Sequence, residues 1–178
     1  MYAIIAHLDK ESEEKINTWR EKLKQASISD YDMQPHVTLA THEELDIKVF
    51  QDQMNTYFQS EQVLPVFYPS LGMFLSSGTL FLAPTKDRVL TEFHNRYHEH
   101  FKKWVNPKSL YAPSQWVPHC TIASHLSHEN LVKAFDCCAE WVEPFQGELT
   151  SISLLDTIFE NEVCVEVKYL HTLNLNKS

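Results

Sequence analysis

Pro35-His36-Val37-Thr38-Leu39-Ala40-Thr41-His42 and Pro118-His119-Cys120-Thr121-Ile122-Ala123-Ser124-His125 are two copies of one phrase, the second beginning 83 residues after the first in a chain of 178. Five of the eight positions are identical, and the other three exchange one small or apolar residue for another. Each copy sets a His and a Thr two positions apart. On a β-strand that spacing puts both side chains on one face, while Val37 and Leu39, or Cys120 and Ile122, point to the other. A polar pair backed by apolar residues, once in each half of the chain, is what a two-histidine site between two similar lobes requires.

Working outward from the first copy, Tyr2 to Leu8 reads as a buried strand, and Asp9 or Ser12 caps a helix with Ile16, Trp19, Leu23 and Ala26 at helical spacing. A polar loop from Ser27 to Gln34 leads into the motif strand, about His36 to Thr41, and Ile47 to Phe58 fits an amphipathic helix. Pro65 opens a strand running from Val66 to about Phe74; Ser76-Ser77-Gly78 is a turn, and Thr79 to Ala83 is the partner strand of a hairpin. A third helix covers Lys86 to Lys103, and a loop rich in aromatics and prolines delivers the chain to the second motif strand, His119 to Ser124. Ser127 caps a fourth helix from His128 to Val142. Gly147 to Leu155 and Val163 to Leu173 close the chain as strands separated by Asp156 to Glu162. Each motif strand therefore precedes a helix and then a hairpin. The order predicts one α+β domain over residues 1–178 with two related lobes.

Composition narrows the function. The chain is 43% hydrophobic and 22% charged, an ordinary globular balance, and it has only three glycines, so no glycine-rich phosphate loop exists. Its formal net charge of −9 is the wrong sign for gripping long nucleic acid, whose affinity comes mostly from phosphate contacts. No apolar stretch is long enough for a membrane span, and the short apolar N-terminal run is quickly followed by charge, so a soluble, cytoplasmic protein is expected. The four cysteines, Cys120, Cys137, Cys138 and Cys164, form no CxxC and read as free thiols.

Two imidazoles with an ordinary pKa of about 6.5 suit displacement at a phosphodiester: one takes a proton from the attacking oxygen, the other gives one to the leaving oxygen, each worth roughly 10²–10⁴-fold. The threonine beside each donates a hydrogen bond to a non-bridging phosphate oxygen. Nothing in this arrangement requires a metal or another cofactor. Metal patterns are poor besides, since Thr38 and Thr121 stand where an HxH pair would need a second histidine. His94, His98 and His100 fall on the third helix and read as solvated side chains. His42 and His125 end each phrase and read as an exposed strand end or helix entry.

His36-Val37-Thr38-Leu39 and His119-Cys120-Thr121-Ile122 resemble the paired H-x-[ST]-x motifs of the 2H phosphoesterase superfamily, the LigT-like or "2′-5′ RNA ligase" proteins. The prolines before each motif, Trp116-Val117-Pro118 and the Phe-Leu-Ala-Pro segment at 81–84 look like its small bacterial branch. The resemblance covers nearly the whole chain. It implies a bilobal fold with the active site in the cleft, and a metal-independent phosphoesterase acting on 2′,3′-cyclic phosphates or 2′-5′ linkages. By carry-over His36 and His119 are the acid–base pair, with neither role assigned, and Thr38 and Thr121 bind the phosphate. Tyr111, Trp116 and Phe81 are candidates for stacking on a base. The expected partner is a small nucleotide or short RNA, with no long duplex and no membrane, acted on by a monomer. Two other readings compete. One is a nucleotide-binding module without turnover. The other is a 2′-5′ ligase or processing enzyme on structured RNA, which predicts a basic stripe drawn from Lys86, Arg88, Lys102, Lys103 and Lys108.

Overall fold

The computed structural model describes residues 1–160 and 163–177. Strand β1 (Tyr2–Leu8) forms where the apolar run lies, and helix α1 (Lys10–Gln25) follows at once. Of the two candidate caps, Asp9 takes the position. Its carboxylate accepts the Ser12 N–H at 3.0 Å and the Ser12 hydroxyl at 2.6 Å, so an amide that the helix start leaves open is satisfied. Strand β2 (His36–His42) carries the first motif, and α2 (Ile47–Phe58) has the expected span, with Asp46 as its cap.

The single strand expected from Val66 to Phe74 is two. Strands β3 (Leu64–Tyr68) and β4 (Ser70–Phe74) belong to different sheets. Pro69 between them has no N–H for a ladder and a fixed φ, and the chain changes sheets there. Strand β4 pairs with β5 (Thr79–Ala83) as the expected hairpin. Gly78 in its turn has φ +57°, and a Cβ there would meet the Leu126 carbonyl oxygen at 2.1 Å. Helix α3 (Arg88–His100) starts later than expected because Asp87 caps it, accepting the Leu90 N–H at 2.8 Å. Strand β6 (Cys120–Ala123) carries the second motif and α4 (His128–Trp141) begins at the expected Ser127 cap. Strand β7 (Phe145–Glu160) pairs with β8 (Val163–Asn174). The break expected from Asp156 does not occur, because β-forming Thr157 and Ile158 continue the ladder to β8. Asn161 and Glu162 lie outside the described residues.

All pairings within the sheets are antiparallel. One sheet runs β2-β1-β7-β3 with β8 also on β7, and the other runs β4-β5-β6. Helices α2 and α3 pack on β8 and β3 of the larger sheet, while α1 and α4 pack on β6 and β5 of the smaller. One main core, with Ile4, Leu39, Phe50, Tyr97, Leu82 and Ile122 among its members, joins both sheets. The molecule is α+β and bilobal, with unequal lobes of five and three strands. The two motif strands are both sheet edges, and they pack against each other. The cleft between the lobes is therefore bordered by the repeated phrase.

Candidate active site

Each motif histidine is held in the same way. The Nδ1 of His36 lies 2.7 Å from the Gln34 carbonyl oxygen, and the Nδ1 of His119 lies 2.8 Å from that of Val117. In both cases the partner is two residues back, across the buried proline that opens the phrase. A carbonyl oxygen only accepts, so the proton resides on Nδ1, and Nε2 of each ring is left as the acceptor. One local turn thus sets the tautomer twice.

Beyond the threonine, both strands bulge at the same place. Ile4 pairs with Ala40 and Ile5 with Thr38, leaving Leu39 unpaired; Leu80 pairs with Ala123 and Phe81 with Thr121, leaving Ile122 unpaired. A bulge adds one residue and reverses the alternation of faces after it. Thr41 and Ser124 therefore return to the cleft side, where Thr41 meets Ser109 at 3.3 Å and Ser124 meets Thr79 at 3.0 Å. The same reversal corrects the expectation for His42. That side chain is 1% exposed, with Nδ1 2.8 Å from the Trp104 carbonyl oxygen and Nε2 2.9 Å from the Tyr97 hydroxyl. His125 is exposed, but its φ of +57° bends the chain so that it lines the cleft instead of lying far along a straight strand.

The edge carbonyls of the motif threonines have no ladder partner, and each is met by a buried donor from the other half of the chain. Trp116 Nε1 donates to the Thr38 oxygen at 2.9 Å, and an Arg20 nitrogen donates to the Thr121 oxygen at 2.5 Å. Arg20 also donates to the Met33 carbonyl and lies over the Tyr31 ring, 4.9 Å from its centroid. Hydroxyls follow the same crossed pattern. Tyr31, before the first motif, stands near the Thr121 side chain; Tyr111, before the second, stands near Thr38 and lines the same cavity. Burial raises both phenols, Tyr31 to about 12, so both stay protonated and able to donate.

Two cavities hold the motif residues. One of about 410 Å³ contains His36, Thr38 and Thr41, and one of about 560 Å³ contains His119, Thr121 and Ser124. Leu110 and Tyr111 line both, so the loop before the second motif stands between the two halves of the site. The structure thus brings together His36, His119, Thr38, Thr121 and Tyr111.

Trp116 does not join them as a stacking surface. It is 2% exposed, and His94 lies flat against it with ring centroids 3.7 Å apart at 1°, so neither face is open to a base. Phe81, 4% exposed, is likewise no platform: it backs His119 at 5.3 Å together with Phe74 at 4.9 Å. His94 and His98 are not solvated. Both are buried, with Nε2 atoms 2.9 and 3.1 Å from the carbonyl oxygen of the bulged Leu39; only His100 is exposed.

Sequence reasoning missed Arg20, Tyr31 and His7. Arg20 stands four residues after Ile16 on the buried stripe of α1, a signal that was available. Tyr31 had none, lying in a polar loop. His7 pairs directly with His36 across β1 and β2, and its Nε2 is 2.8 Å from the Ser153 hydroxyl; only the register reveals it.

The two motif histidines differ electrostatically. Burial pushes His36 down to about 4, with Arg20, His7 and His119 lowering it further against the pull of the Gln34 carbonyl. His119 is also lowered by burial, but no cation adds to the effect. At neutral pH His36 is a free base, and His119 is the easier of the two to protonate. Among the described residues, no three His, Cys, Asp or Glu side chains converge as metal ligands, and no helix is long and apolar enough to cross a membrane.

The fold and this site define a bilobal α+β protein with one H-x-T strand in each lobe, facing a shared cleft. The profile of the 2′-5′ RNA ligase superfamily matches residues 8–158, and the chain belongs to that superfamily, the LigT-like 2H phosphoesterases. Among solved structures it is similar to Escherichia coli LigT complexed with 3′-AMP, at 16% identity and a TM-score of 0.67 over 98% of this chain and 97% of that one. It is also similar to the protein TT0787 of Thermus thermophilus, at 14% identity and a TM-score of 0.64 over 98% and 97%. At such identities the likeness is one of fold. No curated protein matches the sequence.

Proposed function

We propose that the chain is a metal-independent phosphodiesterase that hydrolyses 2′,3′-cyclic phosphates, or 2′-5′ linkages, in small nucleotides or short RNA. The observation that carries this reading is the duplicated tautomer lock, which leaves one Nε2 in each lobe as the free ring atom. His36 takes a proton from water as the water oxygen attacks phosphorus. The bond from phosphorus to one ribose oxygen breaks, and protonated His119 delivers its proton to that oxygen, giving a phosphomonoester and a free hydroxyl. Thr38 and Thr121, each with a tyrosine nearby, donate to the non-bridging oxygens as charge gathers there. The assignment of base and acid rests on the surroundings of the two rings: the Arg20 guanidinium adds to the burial that depresses His36, and no cation is added at His119. E. coli LigT, crystallised with 3′-AMP, is a fold relative seen with a nucleotide monophosphate.

The reading as an enzyme of structured RNA finds less support. Lys86 donates to the Trp116 carbonyl at 2.9 Å, Arg88 and Lys102 pair with Glu92 and Glu99, and Lys103 lies over the Trp104 ring. None of these cations lines the cleft. The test is turnover of 2′,3′-cyclic mononucleotides in excess EDTA. Hydrolysis at the rate seen without chelator supports the proposal. A folded protein that binds the nucleotide and releases it unchanged would move the assignment to a binding module.

A further inference from the structure

The two motif cavities continue into a third of about 640 Å³, which shares Ser124 and His125 with the His119 side and Met33 with the His36 side. Among the described residues, no lysine or arginine lines any of the three. Two cations close to the cavities are already engaged. Arg20 is committed to two carbonyls beside Asp32, and the Met1 ammonium at the edge of the His36 cavity lies 3.8 Å from Asp156. The third cavity carries the opposite sign, with Asp30, Asp32 and Glu166 on its wall. On the other side of His36 the floor is uncharged: Ala3, Ile5 and Leu155 form a small apolar cluster, separate from the main core, with Met33 packed on it.

A phosphate bound by a protein is ordinarily matched by Lys, Arg or a helix start. Here one phosphodiester, carrying a single negative charge, can be met by protonated His119 and the Thr and Tyr hydroxyls. A second phosphate would bring about −1.5 to −2 more charge at pH 7 into a trough lined by carboxylates and by no lysine or arginine among the described residues. Resting on the phosphodiesterase reading, we infer that the cleft selects substrates whose only charge is the reacting phosphodiester. The best substrate is then a nucleoside 2′,3′-cyclic phosphate with a free 5′-hydroxyl, its uncharged base against Met33, the half-buried side chain packed on the Ala3–Ile5–Leu155 cluster.

The experiment compares adenosine 2′,3′-cyclic phosphate with the same compound carrying a 5′-phosphate, at low and at moderate ionic strength. The expected result is a kcat/KM at least tenfold higher for the 5′-hydroxyl compound. That ratio should shrink as salt screens the carboxylates, and shrink also in the Asp30→Asn/Glu166→Gln double variant. Equal or faster turnover of the 5′-phosphorylated compound overturns the inference, and so does a preference that neither salt nor the double variant changes. Failure of both compounds to react would instead count against the phosphodiesterase reading. Calorimetry with adenosine 3′-phosphate and adenosine 3′,5′-bisphosphate then reads the charge preference without turnover. Tighter binding of the monophosphate supports the inference, and equal or tighter binding of the bisphosphate overturns it.

Discussion

His36 and His119 share a sequence context, a backbone partner and a tautomer, yet their surroundings separate them. His36 is held at about 4 by burial, with the Arg20 guanidinium adding to it, and His119 is lowered by burial without added cations. A base must be neutral and an acid protonated, so the active form of the free enzyme occupies the interval between the two pKa values. The profile of kcat/KM against pH is expected to be highest below about pH 6.5, falling on the acid side as His36 takes a proton and on the alkaline side as His119 loses one. A flat profile from pH 5 to 8, or an optimum above 8, would exclude this pairing of roles. At the same scale, Tyr31 and Tyr111 each stand near the threonine of the opposite motif. Replacing either by Phe removes a hydroxyl able to donate to the bound phosphate, a contact of about 1 kcal/mol net, and kcat is expected to fall about 5- to 10-fold with little change in thermal midpoint. Unchanged kcat in both variants would remove the tyrosines from the site.

Among the elements, β4 and β5 form the backing of the second motif. A Cβ on Gly72 of β4 would lie 2.5 Å from Phe81 Cε2 and Cζ, and Phe81 is one of the two rings that back His119. Gly72→Ala is expected to displace that ring toward His119 and lower kcat by about tenfold or more while the protein stays folded, an overpacking effect of about 1–3 kcal/mol. Wild-type kcat in the folded variant would show that the ring does not position His119. Much at this scale was legible beforehand. The motif strands, α2, the β5 strand and the Ser127 cap stood in apolar periodicity and cap residues. The paired motifs themselves marked the candidate site. What escaped depended on distant partners. Pro69 splits a continuous apolar run because two sheets compete for its halves, and the Leu39 and Ile122 bulges appear only once β1 and β5 fix the register. His42, His94 and His98 look polar and therefore exposed, but edge-strand and loop carbonyls inside the fold needed donors. The aromatic surface of Trp116 suggests a stacking ring, but its indole N–H, donated to the Thr38 carbonyl, decides its place.

At the scale of the whole molecule the two lobes hold each other. Residues ahead of the first motif anchor Thr121, and residues ahead of the second anchor Thr38. The interior they share contains neutral histidines: His94 is pushed down to about 3 by burial and by His98, and His7, His42 and His98 are also lowered, chiefly by burial. A histidine with a depressed folded pKa binds its proton more readily when unfolded, so stability is fully present above about pH 6.5 and lost as pH falls toward the folded values. Across that window the loss is expected to reach several kcal/mol, at about 1.4 kcal/mol per pKa unit for each buried ring. Thermal midpoints from pH 8 to pH 5 should fall steeply, and less steeply in His94→Gln; a midpoint independent of pH would contradict neutral burial. Activity and stability are thus expected to favour opposite ends of the same pH range.

The most direct test of the two-histidine account is a mutant cycle on kcat for a 2′,3′-cyclic mononucleotide, using His36→Ala, His119→Ala and the double variant. Groups that act as one unit are non-additive. The account predicts that each single variant loses at least about a thousandfold, with the double variant little worse than either. A single variant that keeps kcat within tenfold of wild type, or losses that simply multiply in the double variant, would contradict it.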